Sequence, residues 1–545
     1  MEIITFIRIE NKEFELYQLQ GLMYPPMWAV TLNSYLMKEF SQQLKSELVD
    51  LRIQEFKEIK PSSYYCLSGM NQDLHVLAEV ADKLRKLNPR AKILLGGPIT
   101  WSFEQEGKLS ELNFADHIFI GDGEVEFVEY FKKDFAKINI SRIINAETKF
   151  NLSDAIAFDE KLFSHLIPYY SGGCVEVSRG CPFLCEFCDI RVMPDNNRSH
   201  CKSIDVIMDE LKVFQRSGLN FVFMACDNFN GDVKWAERLC DEIIKWRAIE
   251  DVKISFYTWS TINICYHPNL LKKMRLAGID TLFIGIESFH QNSLLETSKV
   301  QNTKLDLIEA NKLIQSYGFI LYAGLIMGFD NDPEDIASIQ LEGLEKSGLI
   351  SGDITPLLAL PGTPLYKRLK DDGRLRVHQK SSLGYKRYSS NIIFNRPTDV
   401  IKKQLKEYLN GYNRGTFQRR RYINFLKSQL SEQRIDSKTG DYASLSEVFK
   451  IVIREPAVLL NYIKRMMMVF INLERAANFI FASAYTLYFS IRYFNCMSYF
   501  KFWLFAWTTS LLKSLNIPES EIDLQGNHEI KETKLQVLKL KVANE

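Results

Sequence analysis

Cys181, Cys185 and Cys188 lie within one short loop that directly follows a predicted strand. Thiolate sulfur is a soft ligand, and closely spaced thiols in a reducing compartment favour zinc or an iron–sulfur cluster. A structural zinc ion takes four protein ligands, and Cys174 and Cys201 could complete such a site. The tight set alone supplies three sulfurs and leaves one metal position open, as catalytic centres do. We therefore expect a cluster with one free position, with structural zinc as the alternative.

The cysteine loop follows the first of six predicted strand–helix units. These units must hold the loop in position. The predicted strands cover 175–177, 221–224, 253–257, 281–284, 321–324 and 352–358, and helical patterns separate them. Six such repeats predict an open or partial parallel (β/α)6 barrel, in which the polar residues after each strand gather on one rim.

The N-terminal part also alternates short strands with helical patterns, which predicts an α/β fold with a doubly wound parallel sheet. Ligands of such sheets bind outside the carboxyl ends of the strands. Two predicted strands end there in glycine turns, whose residues are Gly96, Gly97, Gly121, Gly123 and Glu124. Glycine lets the backbone approach a large ligand closely, although ordinary tight turns also use it.

The spacing of Cys181, Cys185 and Cys188, with Phe187 directly before the third cysteine, resembles the cluster loop of radical S-adenosylmethionine (radical SAM) enzymes. The resemblance implies a [4Fe–4S] cluster whose fourth iron is chelated by the amino and carboxylate groups of S-adenosylmethionine. It also implies that the reduced cluster cleaves this cofactor to a 5′-deoxyadenosyl radical. By the same resemblance Phe187 packs near the adenine, and plain core packing is the alternative for this ring.

The likeness extends from about residue 93 to 376, where the chain resembles radical SAM enzymes with an N-terminal cobalamin-binding domain. Within that group it is most similar to the hopanoid methylases and their uncharacterised relatives. The segments that carry this likeness are 185–190, 227–229, 285–288 and 360–366. The resemblance implies that the two glycine turns bind cobalamin.

One feature of many cobalamin domains is missing. No Asp-x-His-x-x-Gly turn occurs, and the corresponding loop is 18–26. His75 and His117 are the only histidines among residues 1–133, and both fit ordinary helix or strand positions. Several enzymes of this group also lack the histidine below the cobalt, so the resemblance still implies cobalamin.

Polar residues at the rim of the predicted barrel are further candidates. Asp227 and Asn228 follow the second strand, where the resemblance implies contact with the methionyl amine or the ribose; helix capping is the alternative. Glu287 follows the fourth strand and could bind ribose hydroxyls or the amine, or form a salt bridge to Arg or Lys. Gly324 and Gly328 frame the fifth strand end and could lie against the adenine.

Three aromatic residues fall near the same rim. They are Tyr257, Trp259 and Tyr322. Because aromatic side chains are more often core than cofactor contacts, we interpret them as core.

Composition and charge exclude several classes of protein. The chain has 545 residues and is 46% hydrophobic, which excludes disorder and a small disulfide scaffold. Lys and Arg number 68 against 67 Asp and Glu, so no overall field attracts nucleic acid, and an RNA-modifying enzyme is disfavoured. The predicted organisation is a cobalamin-binding-like domain (1–133), a linker (134–170), the barrel (171–365), a helical extension (366–430), an apolar helical C-terminal region (431–517) and a polar tail (518–545).

Residues 466–512 are dense in apolar and aromatic side chains. Because Glu474, Arg475, Arg492 and Lys501 interrupt the runs, a transmembrane span is disfavoured. The alternatives are a buried helical subdomain, or helices that lie on a membrane surface or shield a hydrophobic substrate. The N-terminus lacks the features of a signal peptide, so we expect a cytoplasmic protein.

Three functions are compatible with these patterns. The first is a cobalamin-dependent C-methyltransferase acting on a hydrophobic or lipid-like small molecule, with flavodoxin or ferredoxin as an electron donor. The second is a cobalamin-dependent radical cyclase, rearrangement or oxidation enzyme without methyl transfer. The third is a metal-stabilised binding protein without catalysis.

Overall fold

A computed structural model describes residues 1–11, 23–146, 149–190, 193, 195–376, 388–437, 467, 469–489 and 524. The loop 18–26 is therefore described only from residue 23 onward. The polar tail 518–545 lies outside the described residues except for residue 524.

The N-terminal part folds around a sheet of six parallel strands in the order β2-β1-β3-β4-β5-β6. Its strands are β1 (Glu2–Arg8), β2 (Leu44–Asp50), β3 (Tyr64–Ser68), β4 (Lys92–Gly96), β5 (His117–Ile120) and β6 (Ile143–Asn145). Its helices are α1 (Met27–Phe40), α2 (Leu74–Leu87), α3 (Pro98–Gln105) and α4 (Gly123–Phe135). Successive residues of β3 enter two separate hydrophobic cores, one on each face, which confirms the predicted doubly wound sheet.

This sheet continues past the predicted boundary at residue 133. Strand β6 pairs in parallel with β5 inside the segment 134–170 that the sequence predicts to be a linker. The strand has only three residues, and none of them is fully buried. It therefore lacks the longer apolar run by which a strand is predicted from sequence.

A second sheet of six parallel strands, in the order β14-β13-β12-β11-β10-β7, forms the predicted partial barrel. Its strands are β7 (Gly173–Glu176), β10 (Phe221–Ala225), β11 (Ser255–Ser260), β12 (Ile279–Glu287), β13 (Ile320–Met327) and β14 (Ser351–Pro356). A short antiparallel pair, β8 (Ser178–Arg179) and β9 (His200–Cys201), flanks the cysteine loop.

Helices cover the outer face of the second sheet and continue beyond it. They are α5 (Ile204–Arg216), α6 (Val233–Glu250), α7 (Pro268–Ala277), α8 (Gln291–Glu296), α9 (Val300–Thr303), α10 (Leu307–Ser316), α11 (Ile336–Ser347), α12 (Pro364–Asp371), α13 (Thr398–Tyr412), α14 (Gly415–Ser428) and α15 (Leu473–Phe489). Among the residues described, no helix combines the length and apolarity that crossing a bilayer requires.

Candidate functional site

The cysteine loop is held at both ends by backbone hydrogen bonds. Gly180 has a φ of +86°, and a Cβ there would collide with the carbonyl oxygen of Arg198, so only glycine fits. The amide of Cys181 donates to the carbonyl of Asn196 over 2.9 Å, and the amide of Glu186 donates to the carbonyl of Thr297 over 2.9 Å. The loop is therefore fixed to both the β9 side and the α8–α9 segment of the barrel.

Two side-chain amides contact the cysteine sulfurs. The amide nitrogen of Asn228 lies 3.8 Å from the sulfur of Cys181, and that of Gln301 lies 3.4 Å from the sulfur of Cys185. Hydrogen bonds donated to sulfur stabilise thiolate and tune the potential of iron–sulfur clusters. The structure thus brings the predicted Asn228 to the predicted ligand Cys181.

Burial controls the protonation of the loop thiols. It raises the pKa of Cys181 above its usual range and raises the pKa of Cys188 to about 12, although the ammonium of Lys299 opposes both shifts. Both thiols carry a proton at neutral pH when no metal is bound. A metal must displace those protons, so its binding is coupled to pH.

The donor geometry bears on the choice between zinc and a cluster. In the part of the chain that is described, no three His, Cys, Asp or Glu side chains surround a position for a single metal ion. Each cysteine of a [4Fe–4S] cluster binds a different iron, so its three sulfurs need to be spread wider than the ligands of one ion. The carbonyl oxygen of Gln301, beside Cys185, is buried and has no donor among the described residues, as expected next to a ligand. The amides beside Cys181 and Cys185 fit a cluster held by sulfur ligands, and the choice over a zinc site closed by Cys174 and Cys201 stays a prediction.

A buried ion pair lies next to the cysteines. The Lys299 ammonium is 2.8 Å from a carboxylate oxygen of Glu287 and 5.9 Å from the centre of the Phe187 ring. Although burial opposes it, the carboxylate of Glu287 holds the pKa of Lys299 above its usual value. The salt-bridge alternative for Glu287 is therefore observed, and a role in ligand binding stays a prediction.

Asp227 and Asn228 support the loop and do not cap a helix through their side chains. Asp227 accepts a 2.6 Å hydrogen bond from the amide of Gly180, and Asn228 accepts one from the hydroxyl of Thr261. The following helix α6 is capped by Asp232. Burial raises the pKa of Asp227, which lies under the first turn of the cysteine loop.

The aromatic and glycine candidates lie near the same loop. Phe187 is half-buried and packs 6.4 Å from the ring of Phe329. Gly324 and Gly328 each leave room for an aromatic ring, since a Cβ at Gly328 would come within 2.8 Å of Phe394. Contact of Phe187 or these glycines with adenine remains a prediction.

The two predicted glycine turns lie at the carboxyl ends of β4 and β5. Gly97 and Gly121 have φ of +92° and +93°, and a Cβ at Gly97 would come within 2.5 Å of the Ser68 hydroxyl. Gly96 and Gly123 follow the usual backbone conformations of L residues. Positive φ and close packing against Ser68 and Ala146 thus explain Gly97 and Gly121 as ordinary tight turns, and contact of these turns with cobalamin stays a prediction.

Arg179 connects these turns to the cysteine loop. Its guanidinium lies 2.5 Å from Glu124, 3.2 Å from Asp122 and 2.8 Å from Glu176. Although burial opposes it, Glu176 and Glu124 hold the pKa of Arg179 well above its usual value. The predicted ligand residue Glu124 is thus engaged by a residue two positions before Cys181.

Sequence reasoning missed Lys299, Gln301 and Arg179. Arg179 directly precedes the glycine of the cysteine loop, so its position in the sequence could have identified it as a candidate. Nothing in the local sequence of Lys299 or Gln301 marks them, because helices α8 and α9 fold them back onto the cysteines.

Trp259 differs from the core interpretation, because it is 42% exposed. Tyr257 and Tyr322 lie on the same inner face of the second sheet and are largely buried, so for them the core interpretation stands as a prediction. A period-two strand pattern places them on one face, away from the aliphatic residues under the helices.

The chain is similar to several known proteins. It is 32% identical over 239 residues to the hopanoid C-2 methylase of Rhodopseudomonas palustris, which covers 44% of either chain. It is 25% identical over 410 residues to an uncharacterised methyltransferase of Synechocystis, covering 74% of each. The match to the hopanoid methylase thus spans less than half the length of that relative.

A solved structure has the same fold. The cobalamin-dependent S-adenosylmethionine radical enzyme OxsB, with aqua-cobalamin and S-adenosylmethionine bound, superposes with a TM-score of 0.61 at 16% identity. The superposition covers 97% of this chain and 82% of that one. Residues 175–341, which contain the three cysteines and most of the second sheet, match the radical SAM superfamily. The chain therefore carries a radical SAM domain.

Proposed function

We propose that this protein is a cobalamin-dependent radical SAM methyltransferase that acts on a hydrophobic small molecule. The observation that carries the proposal is the contact of Arg179 with Glu124 and Asp122. Through it, the glycine turn after β5 lies against the start of the cysteine loop, so ligands on the two sheets would share one chamber. A methyl donor on the first sheet and a radical source on the second need that proximity.

The residues of the second sheet would hold the cluster and S-adenosylmethionine. Cys181, Cys185 and Cys188 would bind three irons, and the amides of Asn228 and Gln301 would donate to their sulfurs. When bound, this pair of cofactors supplies a carbon radical that abstracts hydrogen from an unactivated carbon. Glu287 would accept a hydrogen bond from the amine or ribose of S-adenosylmethionine, and its contact with Lys299 would hold the carboxylate in position.

The first sheet would hold cobalamin at the turns that contain Gly96, Gly97, Gly121 and Gly123. Their backbone lies at the carboxyl edge of a doubly wound sheet, where such folds bind ligands. Glu124 would act through Arg179 to fix the turn and not as a direct ligand. The similarity to proteins named as methyltransferases supports methyl transfer over cyclisation.

The test is anaerobic turnover of the reconstituted full chain, with and without cobalamin, using a hopanoid as substrate because a similar protein is named for that class. Methyl transfer predicts 5′-deoxyadenosine, S-adenosylhomocysteine and a product heavier by one methylene, all dependent on cobalamin. Formation of 5′-deoxyadenosine with an altered product and no S-adenosylhomocysteine would overturn methyl transfer in favour of the cyclase or oxidation alternative. A colourless protein that holds zinc and cleaves no S-adenosylmethionine would overturn the whole proposal.

We also propose a reducing, cytoplasmic setting with a low-potential one-electron donor such as flavodoxin or ferredoxin. Nine cysteines of the described residues are free thiols, which supports a compartment without disulfide formation. Turnover with reduced flavodoxin, and its loss when the flavodoxin is omitted, is the expected outcome.

Association with an anionic membrane surface is part of the proposal. One face of helix α15 is apolar and exposed, with Leu473, Ile480 and Tyr488 on it, and Leu473 is 86% exposed. Beside this face, Arg419 of α14 lies 5.1 Å from the ring of Phe481. An apolar face with adjacent cations is typical of helices that lie in an anionic bilayer surface.

Sedimentation with phosphatidylglycerol vesicles tests this partner. The double variant Leu473→Ser, Ile480→Ser is expected to bind at least about tenfold more weakly than wild type. The matched control Ile138→Ser, Ile249→Ser removes two exposed apolar residues elsewhere and is expected to bind like wild type. Equal binding of both variants, or concentration-dependent dimerisation through this face without vesicle binding, would overturn membrane association.

A further inference from the structure

A buried amide from outside the cysteine loop faces one of the three cysteine sulfurs. Gln301 is 7% exposed, and its side-chain nitrogen lies 3.4 Å from the sulfur of Cys185, which is also buried. The two residues are 116 positions apart in the sequence, so the fold brings them together. Because low local dielectric strengthens electrostatic contacts, a hydrogen bond donated to this buried sulfur has a larger effect than one donated to an exposed sulfur.

The chemistry of the amide determines which of its ends faces the sulfur. Only the nitrogen can donate a hydrogen bond, and an oxygen in its place would set two electron-rich atoms against each other. The amide oxygen of Gln301 is buried and has no hydrogen-bond partner among the described residues, which costs free energy. The oxygen therefore does not explain why this side chain is buried here, whereas the bond from its nitrogen to Cys185 does.

The residues on either side of Gln301 hold it in place. The side-chain amide of Asn302 donates to the backbone carbonyls of Gly285 and Ile286, over 3.0 and 2.9 Å, at the end of β12. On the other side, Lys299 is ion-paired to the carboxylate that ends the same strand. The donor of Gln301 is thus preorganised and need not move when the charge on the sulfur changes.

Two other polar groups near the sulfurs have weaker effects. The ammonium of Lys299 is neutralised by Glu287 at 2.8 Å, and two opposite charges so close together produce a weaker field at a distance than one charge does. The amide nitrogen of Asn228 lies 3.8 Å from the sulfur of Cys181, which is a longer contact than that of Gln301. Gln301 is therefore the strongest of these donors to a cysteine sulfur.

We propose that Gln301 is a positioning residue that raises the reduction potential of the cluster through Cys185. One electron from a low-potential donor adds negative charge that the sulfurs share, and a donated N–H stabilises this reduced form more than the oxidised form. The donor loses that electron, and no bond forms or breaks. The inference rests on the proposed function, because it requires the cluster. It adds the residue that sets how strong a reductant the protein needs.

The test is a redox titration of the reconstituted full chain, without S-adenosylmethionine or substrate, followed by electron paramagnetic resonance of the reduced cluster. Gln301→Met keeps the length of the side chain and removes the donor. The equilibrium constant for reduction is expected to fall about tenfold, which is about 59 mV for one electron. Gln301→Ala is expected to shift the potential in the same direction. A potential equal to or above that of wild type in both variants would overturn the proposal.

A matched control separates the hydrogen bond from packing. Gln404 on α13 is also buried, and its amide nitrogen donates to the backbone carbonyls of Pro333 and Glu334 instead of a sulfur. Gln404→Met is expected to lower the free energy of unfolding and to leave the potential unchanged. Asn228→Ala is expected to lower the potential by less than Gln301→Met. An equal shift in Gln404→Met would overturn the role of the hydrogen bond.

Reduction by two reductants measures the consequence for the electron donor. Reduced flavodoxin is expected to reduce a smaller fraction of Gln301→Met than of wild type, whereas the stronger reductant titanium(III) citrate should reduce both completely. Iron analysis is expected to find four irons per chain in wild type and in every variant. Loss of iron from both Gln301 variants would show that Gln301 is needed to assemble the cluster, which overturns the tuning role.

The results separate this inference from the proposed function. If wild type cleaves S-adenosylmethionine and the Gln301 variants keep its potential, the tuning role fails and the radical chemistry stands. If the potential shifts as expected but wild type cleaves no S-adenosylmethionine, the tuning role stands and the proposed function fails. A wild-type protein that holds zinc and no reducible cluster would overturn both.

Discussion

The first sheet is buried on both faces, whereas the inner face of the second sheet keeps aromatic surface accessible. In β3, the neighbouring residues Tyr64 and Tyr65 point to opposite faces and both are buried. In β10, Val222 is buried while the next residue, Phe223, is only partly covered. A sheet covered by helices on both faces can offer a ligand only the ends of its strands, but a curved sheet also offers its concave face.

The comparison assigns different tasks to the two sheets. The first presents a turn that contains Gly97, and the second presents both a rim and a concave face with aromatic residues on it. Changes in the first sheet should therefore reduce stability, while changes on the inner face of the second should reduce binding.

The largest effect is expected at the rim of the second sheet. Cys185→Ala removes one of three proposed cluster ligands, so brown colour and S-adenosylmethionine cleavage should fall to background. The side chain is small and touches neither core of the first sheet, so circular dichroism should not change. Absorption spectra and 5′-deoxyadenosine assays measure both.

Cys240→Ala is the matched control for this variant. Cys240 is fully buried in α6, outside the loop, so its loss should lower the free energy of unfolding by about 1 kcal/mol. Colour and cleavage should persist. Retained cleavage in Cys185→Ala would contradict the ligand assignment.

Aromatic truncation compares the two sheets directly. Phe131 is fully buried under the first sheet against Phe127 and Tyr130, so Phe131→Ala should lower the free energy of unfolding by about 3–5 kcal/mol. Phe223→Ala should cost less than about 1.5 kcal/mol, because its ring is already partly accessible. Urea unfolding measures both, and equal losses would show that the rings of the second sheet are ordinary core.

Strand spacing and loop chemistry made much of this architecture predictable. Six strand–helix units and the cysteine loop could be found because each leaves a local signal, either an apolar run or three thiols at short spacing. The aromatic residues on the inner face of the second sheet could not be predicted, because Phe223 and Val222 are both apolar and the sequence does not show which of them faces the helices.

Contacts between distant segments could not be predicted from the sequence either. Arg179 and Glu124 belong to different sheets, and only the packing of the sheets brings their charges together. Lys299 reaches Glu287 because the intervening chain folds into the short helix α8, which no spacing rule predicts. Long-range ion pairs therefore need the fold before they can be assigned.

Glycine substitutions should give smaller effects that differ between the two sheets. The substitution in the first sheet should lower stability, and the one in the second sheet should weaken binding. Gly97→Ala forces a side chain into a backbone conformation with positive φ and against the carbonyl of Gly69, so it should cost about 1–3 kcal/mol of unfolding free energy. Gly324→Ala has no positive φ and meets only the far end of the Phe283 side chain, so it should cost less than Gly97→Ala and weaken hopanoid binding instead. Urea unfolding and dialysis measure the pair, and a larger stability loss for Gly324→Ala would contradict the division.

The smallest effect concerns a buried acid on the outer side of the second sheet. Glu210 accepts two hydrogen bonds from the Lys202 ammonium, at 2.6 and 2.8 Å, and the carboxylate of Glu176 lies nearby. Burial raises the pKa of Glu210 to about 7, and although Lys202 opposes the shift, Glu176 adds to it. The folded state thus holds this proton more tightly than the unfolded chain, where the ordinary value is 4.5.

The sign of the pH dependence follows from that difference. Since the folded pKa is the higher one, the stabilisation by this group is complete below about 4.5 and is lost as the pH rises through about 7. Glu210→Gln removes the titration, so unfolding midpoints in urea should fall less steeply over this range than in wild type. Glu242→Gln, an exposed partner of Lys245 on α6, should keep the wild-type slope. Parallel curves for wild type and Glu210→Gln would mean that Glu210 is ionised throughout and that Lys202, not burial, sets its charge.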